Sequence, residues 1–229
     1  MNAHALRACV LAGLALVLAA PAGAAPPQPL LQPTPGATTA YHFDLDGTFW
    51  NGARTDVSRN VTITVADGGA VRIVSTGRTH DDDKSGAGTL AKDGTIAAPG
   101  IGDRVRSFNT VVALLRTIPA TLTPGTTWTA SVPMQYSDGD ASFDLPVRLT
   151  VASADGGSVV FQGTGAQSLS TTFGGYSVPI DVEVRFAVRL TGDRFARCDF
   201  AVNELVHAGP QTQTMHWTWA MTPVASAHT

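Results

Sequence analysis

Hydrophobic and polar residues alternate along most of the chain, and the longest such run is Val178–Leu190. There Val178, Ile180, Val182, Val184, Phe186, Val188 and Leu190 alternate with Pro179, Asp181, Glu183, Arg185, Ala187 and Arg189. A period of two predicts a strand with one wet face, because a helical repeat would scatter the same apolar set around the whole cylinder. The run would extend about 40 Å, against ~17–20 Å for a common strand. A strand of that length predicts a broad, twisted antiparallel sheet.

The same period recurs elsewhere. Tyr41, Phe43 and Leu45 predict a first strand, interrupted at Gly47. Val61, Ile63 and Val65, the turn Asp67-Gly68-Gly69, and Val71 with Ile73 predict a hairpin. Trp128–Met134 is a further strand, and Leu145–Val151 with Ser158–Thr164 forms a second hairpin. Ala196, Cys198, Phe200 and Val202 share one face of a strand, and Met215, Trp217, Trp219 and Met221 one face of the last. The stretch 77–102 is polar and glycine-rich and predicts loop with one short strand near Thr95–Ala97. One amphipathic helix is predicted near 107–117, where Phe108, Val111, Val112 and Leu115 follow a helical spacing and Pro119 ends it. The fold class is therefore mainly β: a large curved antiparallel sheet, as a half-barrel or a two-sheet sandwich, with a single helix.

Three segments follow from composition. Residues 1–25 read as a secretory signal peptide, with Arg7, the apolar run Ala8–Ala20 and a small-residue cleavage site at Ala24 or Ala25. That run is shorter than the about 20 residues a spanning helix needs, so no membrane span is expected after its removal. Residues 26–39, with five prolines, read as an extended tether, and 40–224 as one β-rich domain. The expected location is periplasmic or secreted. Cys198 would then be unpaired, and its in-phase neighbours place it on a buried face. With 15 Lys and Arg against 18 Asp and Glu and no basic run, nucleic acid is not an expected partner.

Three groups of residues could carry chemistry. Phe43-Asp44-Leu45-Asp46-Gly47-Thr48 resembles the first motif of the haloacid-dehalogenase-like phosphatases, and the resemblance implies Asp44 as nucleophile and Asp46 as general acid. In that family the motif ends a parallel strand buried on both faces, which needs an unbroken apolar run before the first Asp. Thr38, Thr39 and His42 break it here, and one helix cannot supply the crossovers of a parallel sheet. The bland reading is a solvated strand face. His80, Asp81 and Asp83 are candidate metal ligands, but consecutive positions point apart and match no ligand loop. No cofactor is predicted. Gly-x-Ser-x-Gly and His-Glu-x-x-His do not occur.

The third group is apolar. Met215, Trp217 and Trp219, with Val182, Val184 and Phe186 on the long strand, could line a pocket on the concave face of the sheet. In architecture the chain resembles the periplasmic lipoprotein-carrier proteins, a likeness that implies a curved sheet holding an apolar cavity under helices. Pro124-Gly125-Thr126-Thr127-Trp128 is similar to a turn of uncharacterised secreted β-rich bacterial proteins. The reading that results is a non-enzymatic exported envelope protein that binds an apolar or lipid-like molecule, or acts as an interaction module. The alternative is a phosphatase-like hydrolase using Asp44 and Asp46.

Overall fold

A computed structural model describes residues 34–224, apart from 50, 80, 81, 136–141, 174, 175, 193, 209 and 210. The predicted signal peptide and most of the tether lie outside the described residues. Eleven antiparallel strands form one open sheet in the order β5-β4-β3-β2-β1-β11-β10-β9-β8-β7-β6. They are β1 Thr38–Thr48, β2 Arg54–Val65, β3 Ala70–Gly77, β4 Lys84–Leu90, β5 Ile96–Ala97, β6 Thr127–Gln135, β7 Ser142–Asp155, β8 Ser158–Phe173, β9 Tyr176–Thr191, β10 Arg194–Ala208 and β11 Gln211–Pro223. The mainly-β class with one helix is as the alternation predicts, and a single sheet excludes the two-sheet sandwich.

The order splits the chain into two meanders. β1 to β5 walk outward to one edge and β6 to β11 walk inward from the other, so β1 and β11 meet at a central seam with Tyr41 opposite Pro223 and Thr48 opposite His216. The chain must therefore pass from the β5 edge to the β6 edge across a face of the sheet. Helix α1, Arg106–Leu115, makes that crossing. It touches the middle and both edges: Phe108 stacks on Tyr41 at 5.8 Å, and the Tyr41 hydroxyl donates to the Arg104 carbonyl at 2.8 Å. At the β5 edge Asn109 accepts from the Ile96 N–H and donates to its carbonyl, at 2.8 and 2.9 Å. At the β6 edge Thr110 donates to the Pro133 carbonyl at 3.3 Å, and the Trp128 indole to the Thr117 hydroxyl at 3.1 Å. Eleven strands laid flat would be about 50 Å wide, whereas a helix is ~10 Å across. One helix can reach both edges only if the inner face is concave around it.

Alternation decides which residues face it. Ile180, Val182, Val184, Phe186, Val188 and Leu190 of β9 are all buried, at most 4% exposed. Four rings continue this core across four strands: Phe186 stacks on Phe200 at 5.6 Å, Phe200 on Trp219 at 4.9 Å, and Trp219 meets Phe43 at 5.9 Å. The row ends on β8 at Gly163, paired with Phe186, where any Cβ would overlap the Phe186 ring.

Several expectations need correction. β1 runs through Gly47 without a break, pairing there with Trp217 and Thr55. The stretch 77–102 contains a full strand, β4, in addition to β5. Its Gly86 and Gly88 lie where a side chain would strike Ile101 and the Ala97 carbonyl, so close packing, not looseness, selects glycine there. β8 extends well beyond Thr164, and Ala196 is only half-buried because the register slips between Phe195 and Arg197. This bulge puts Phe195, 3% exposed, on the inner face and returns Cys198 to it. The first strand also begins two residues inside the predicted tether.

Phe186→Ala should cost about 3–5 kcal/mol in chemical denaturation, since the site is filled by Phe200 and Gly163. Gly163→Ala should also destabilise, and the loss should shrink in a Phe186→Leu background; an unchanged loss would mean that the ring is not what Gly163 accommodates. Burial holds the Cys198 thiol far above its ordinary range. A thiol reagent should therefore label it slowly in the native protein and rapidly in denaturant, and equal rates would contradict the register of β10.

Candidate ligand pocket

Two depressions, one on each face of the sheet, gather the charged residues. The outer one is an open trough of about 770 Å³ across six strands from β2 to β8. Ala187, Ala201 and Ala220 form its floor, and Asp44, Asp46, Asp199, Arg185 and Arg197 stand around it. Its charges are largely answered within the face. Arg197 Nε donates to both Asp199 carboxylate oxygens at 2.9 and 2.8 Å, and Arg78 donates to Asp56 at 2.8 Å. His42 bridges Asn60 at 2.8 Å and Asp44 at 3.1 Å. A hydrogen bond from Ser58, with His42 beside it, holds the Asp44 carboxyl below the usual carboxylate range.

Asp44 and Asp46 thus share one face, two positions apart on β1, and both are exposed. β1 is antiparallel to both of its neighbours, β2 and β11. The phosphatase motif belongs at the end of a parallel strand under crossover helices, so the six-residue resemblance does not extend to the fold. His80 and Asp81 lie outside the described residues, and Asp83 accepts the Gly77 N–H at 2.9 Å. Among the described residues no group of three His, Cys, Asp or Glu side chains is placed to hold a metal ion. His42, His207 and His216 sit in separate pairings, with Asp181 accepting from His207 Nε2 at 2.8 Å and Asn203 facing His216 at 2.6 Å.

The inner depression is smaller and different in kind. It encloses about 150 Å³ between the first turns of α1, the Pro133–Met134 end of β6, Phe143 of β7 and the strands beside the seam. Phe43, Leu45, Phe200, Val202, Trp217 and Trp219 wall it, and Arg59, Asp103, Arg106 and Glu204 enter it. Arg59 lies with its guanidinium 4.7 Å from the centre of the Phe43 ring and reaches the Asp103 carbonyl at 3.4 Å. Of the residues proposed from the sequence, Trp217 and Trp219 come together here. Met215 is buried beside them on β11, while Val182, Val184 and Phe186 of β9 do not line the cavity but stand behind its wall, paired with Glu204, Val202 and Phe200.

Glu204 is the residue that sequence reasoning missed. It is 4% exposed, and its Oε2 has no hydrogen-bond partner. The signal was available: Glu204 continues the buried phase of Cys198, Phe200 and Val202, so a strand ended at Val202 hides a charge on the inner face. Burial pushes its carboxyl up to about 7. The Trp217 indole opposes that shift in part, but Nε1 also lacks a formed hydrogen bond. Leaving such groups unpaired costs ~1–3 kcal/mol each. The outer trough is exposed and its charges pair with one another; the inner pocket holds polar atoms without a hydrogen bond among the described residues.

The fold and pocket define a broad class: a single open antiparallel sheet whose crossing helix covers an apolar, partly charged cavity. Among the described residues no helix is long and apolar enough to cross a membrane. No family model matches the sequence, and no curated protein matches it. A solved structure of a hypothetical lipoprotein from Escherichia coli (K12), YmcC, aligns over 83% of this chain and 89% of its own, at 10% identity and a TM-score of 0.18. A likeness that slight carries no argument about function.

Glu204 sets a pH dependence of stability. Its folded carboxyl keeps a proton that the unfolded chain releases near pH 4.5, so stability should fall as pH rises from about 4.5 to about 7 and level off above. The whole effect is on the order of 3 kcal/mol. Asp44 and Asp181, both held low, act in a separate window, losing their contribution only as pH falls below the usual carboxylate range. Denaturation midpoints of wild type and Glu204→Gln across pH 4–8 should therefore diverge, with the variant nearly flat between 5 and 7; parallel curves would show that Glu204 is not buried.

Proposed function

We propose that the protein is a non-enzymatic envelope protein that takes the apolar end of a small amphiphile into the pocket between α1 and the inner face. The observation that supports this reading is the apolar cavity itself, walled by Trp217, Trp219 and Phe200 and containing unpartnered polar atoms. At about 150 Å³ it suits a ring or a short alkyl chain, since a cavity of that size accepts benzene. It is too small for the paired tails of a membrane lipid. An exported location is what the N-terminal sequence suggests.

Trp217 and Trp219, two of the four tryptophans, line the cavity, so a change in tryptophan fluorescence reads its occupancy. Titration with 1-hexanol should give a saturable change in wild type, and Ser107→Phe, on the cavity wall, should weaken binding at least tenfold while leaving the thermal midpoint within a few degrees. A linear, unsaturable response in wild type would end the proposal.

A hydrolase at the outer trough is the second reading, favoured by the meeting of Asp44 and Asp46 with Arg185 and Arg197. We expect no turnover of an aryl phosphate with magnesium by wild type or by Asp44→Asn. Turnover present in wild type and lost in the variant would reverse the order of the two readings.

A further inference from the structure

We propose that the ligand of the inner pocket carries an organic ammonium group, seated on the Glu204 carboxyl against the Trp217 and Trp219 faces. The inference rests on the pocket being a binding site and names the chemistry it selects. Glu204 is an acid at the end of an apolar strand face, 4% exposed, with one carboxylate oxygen unpartnered. On the paired strands its partners are Val182 and Met215, which offer it neither a donor nor a charge, and the neighbouring Trp217 indole offers a neutral N–H but no charge. A buried carboxylate without a cation is costly, and none of the described residues supplies one beside it.

The charged groups that face the same cavity come from other elements. Arg59 of β2 and Arg106 of α1 enter from the helix side, with Asp103 just before α1 within 4.0 Å of Arg59 Nη1. β6 contributes Pro133 and Met134 and β7 contributes Phe143, none of them titratable. Burial, and no neighbouring cation, dominates the Glu204 titration. The arginines are thus occupied at the other rim: Arg59 by the Phe43 ring and Asp103, Arg106 with Asp103 also acting on it.

A primary ammonium answers the vacancy in three ways. It donates to the unpartnered oxygen, it neutralises the carboxylate, and it lies near indole faces, which attract cations. A neutral hydroxyl offers only the first of these. A carboxylate ligand offers none and would meet Glu204 as a like charge.

The test compares 1-hexylamine, 1-hexanol and hexanoate, which share a tail, by tryptophan fluorescence titration at pH 6 and pH 8. At pH 8 wild type should bind hexylamine at least tenfold tighter than hexanol, and hexanoate weakest. The preference should shrink at pH 6, where Glu204 takes up its proton, and in Glu204→Gln at pH 8, with hexanol binding retained as the mark of an intact pocket. Equal binding of amine and alcohol at pH 8, or a preference unmoved by both pH and Glu204→Gln, overturns the assignment to Glu204 while leaving the pocket standing. Should Glu204→Gln fail to fold, the wild-type pH comparison alone decides. Failure of all three probes to bind overturns the pocket reading itself, and this assignment with it.

Discussion

One crossing governs this structure. The two edges of the sheet are neighbours in sequence and opposite in space, so the chain between β5 and β6 must traverse the inner face, and it does so as a ten-residue helix. That helix, with the short segments on either side of it, covers the apolar side of eleven strands. The sheet meets the shortfall by bending around it and by filling the remaining space with its own large side chains. The row Phe186, Phe200, Trp219 and Phe43 performs the second task, and Gly163 makes room for its outer end. Between the rings and the first turns of α1, the pocket is the space that neither fills.

Much of the architecture was legible because one-sided burial writes itself at period two. The strand Val178–Leu190, the helix near Phe108 and Val111, and the face shared by Trp217 and Trp219 could all be read that way. What the pattern hid had particular causes. β4 is written in Lys84, Ser85, Gly86, Ala87 and Gly88, a stretch with no apolar period, because its inner positions are filled by Ile101 and Ala98 from the next segment. The bulge at Ala196 shifts the phase by one residue and trades Ala196 for Phe195 on the inner face. The candidate site was half visible. Its tryptophans follow the pattern, whereas Glu204 and Arg59 violate it, and a charge in an apolar phase reads as the end of a strand unless the strand is followed further.

The two faces treat charge in opposite ways. Outward-facing Arg197, Asp199, Arg78, Asp56 and His42 pair along and between strands, in contact with water, and such exposed pairs add little to stability. Inward, few charges are admitted, and Arg59 and Glu204, which border the same cavity, each keep a buried polar atom without a hydrogen bond among the described residues. The phosphatase-like hexapeptide belongs to the first group: its carboxylates are outward residues of a central antiparallel strand, and the alternation that placed them there also denies them the buried strand end that their resemblance requires.

The seam between β1 and β11 has a consequence for how the molecule comes together. Each meander is built from hairpins between sequence neighbours, which close over short loops, but the seam joins residues from opposite ends of the described chain, and such closures come at the greatest entropic cost and the slowest rate. The cavity draws Phe43, Leu45 and Arg59 from one meander and Phe200, Glu204 and Trp219 from the other. Neither half possesses it alone. A molecule that entered that space would therefore bind only the joined sheet, and by mass action it would act as a latch on the join, holding together two halves that the backbone connects only by way of the helix and the far edges.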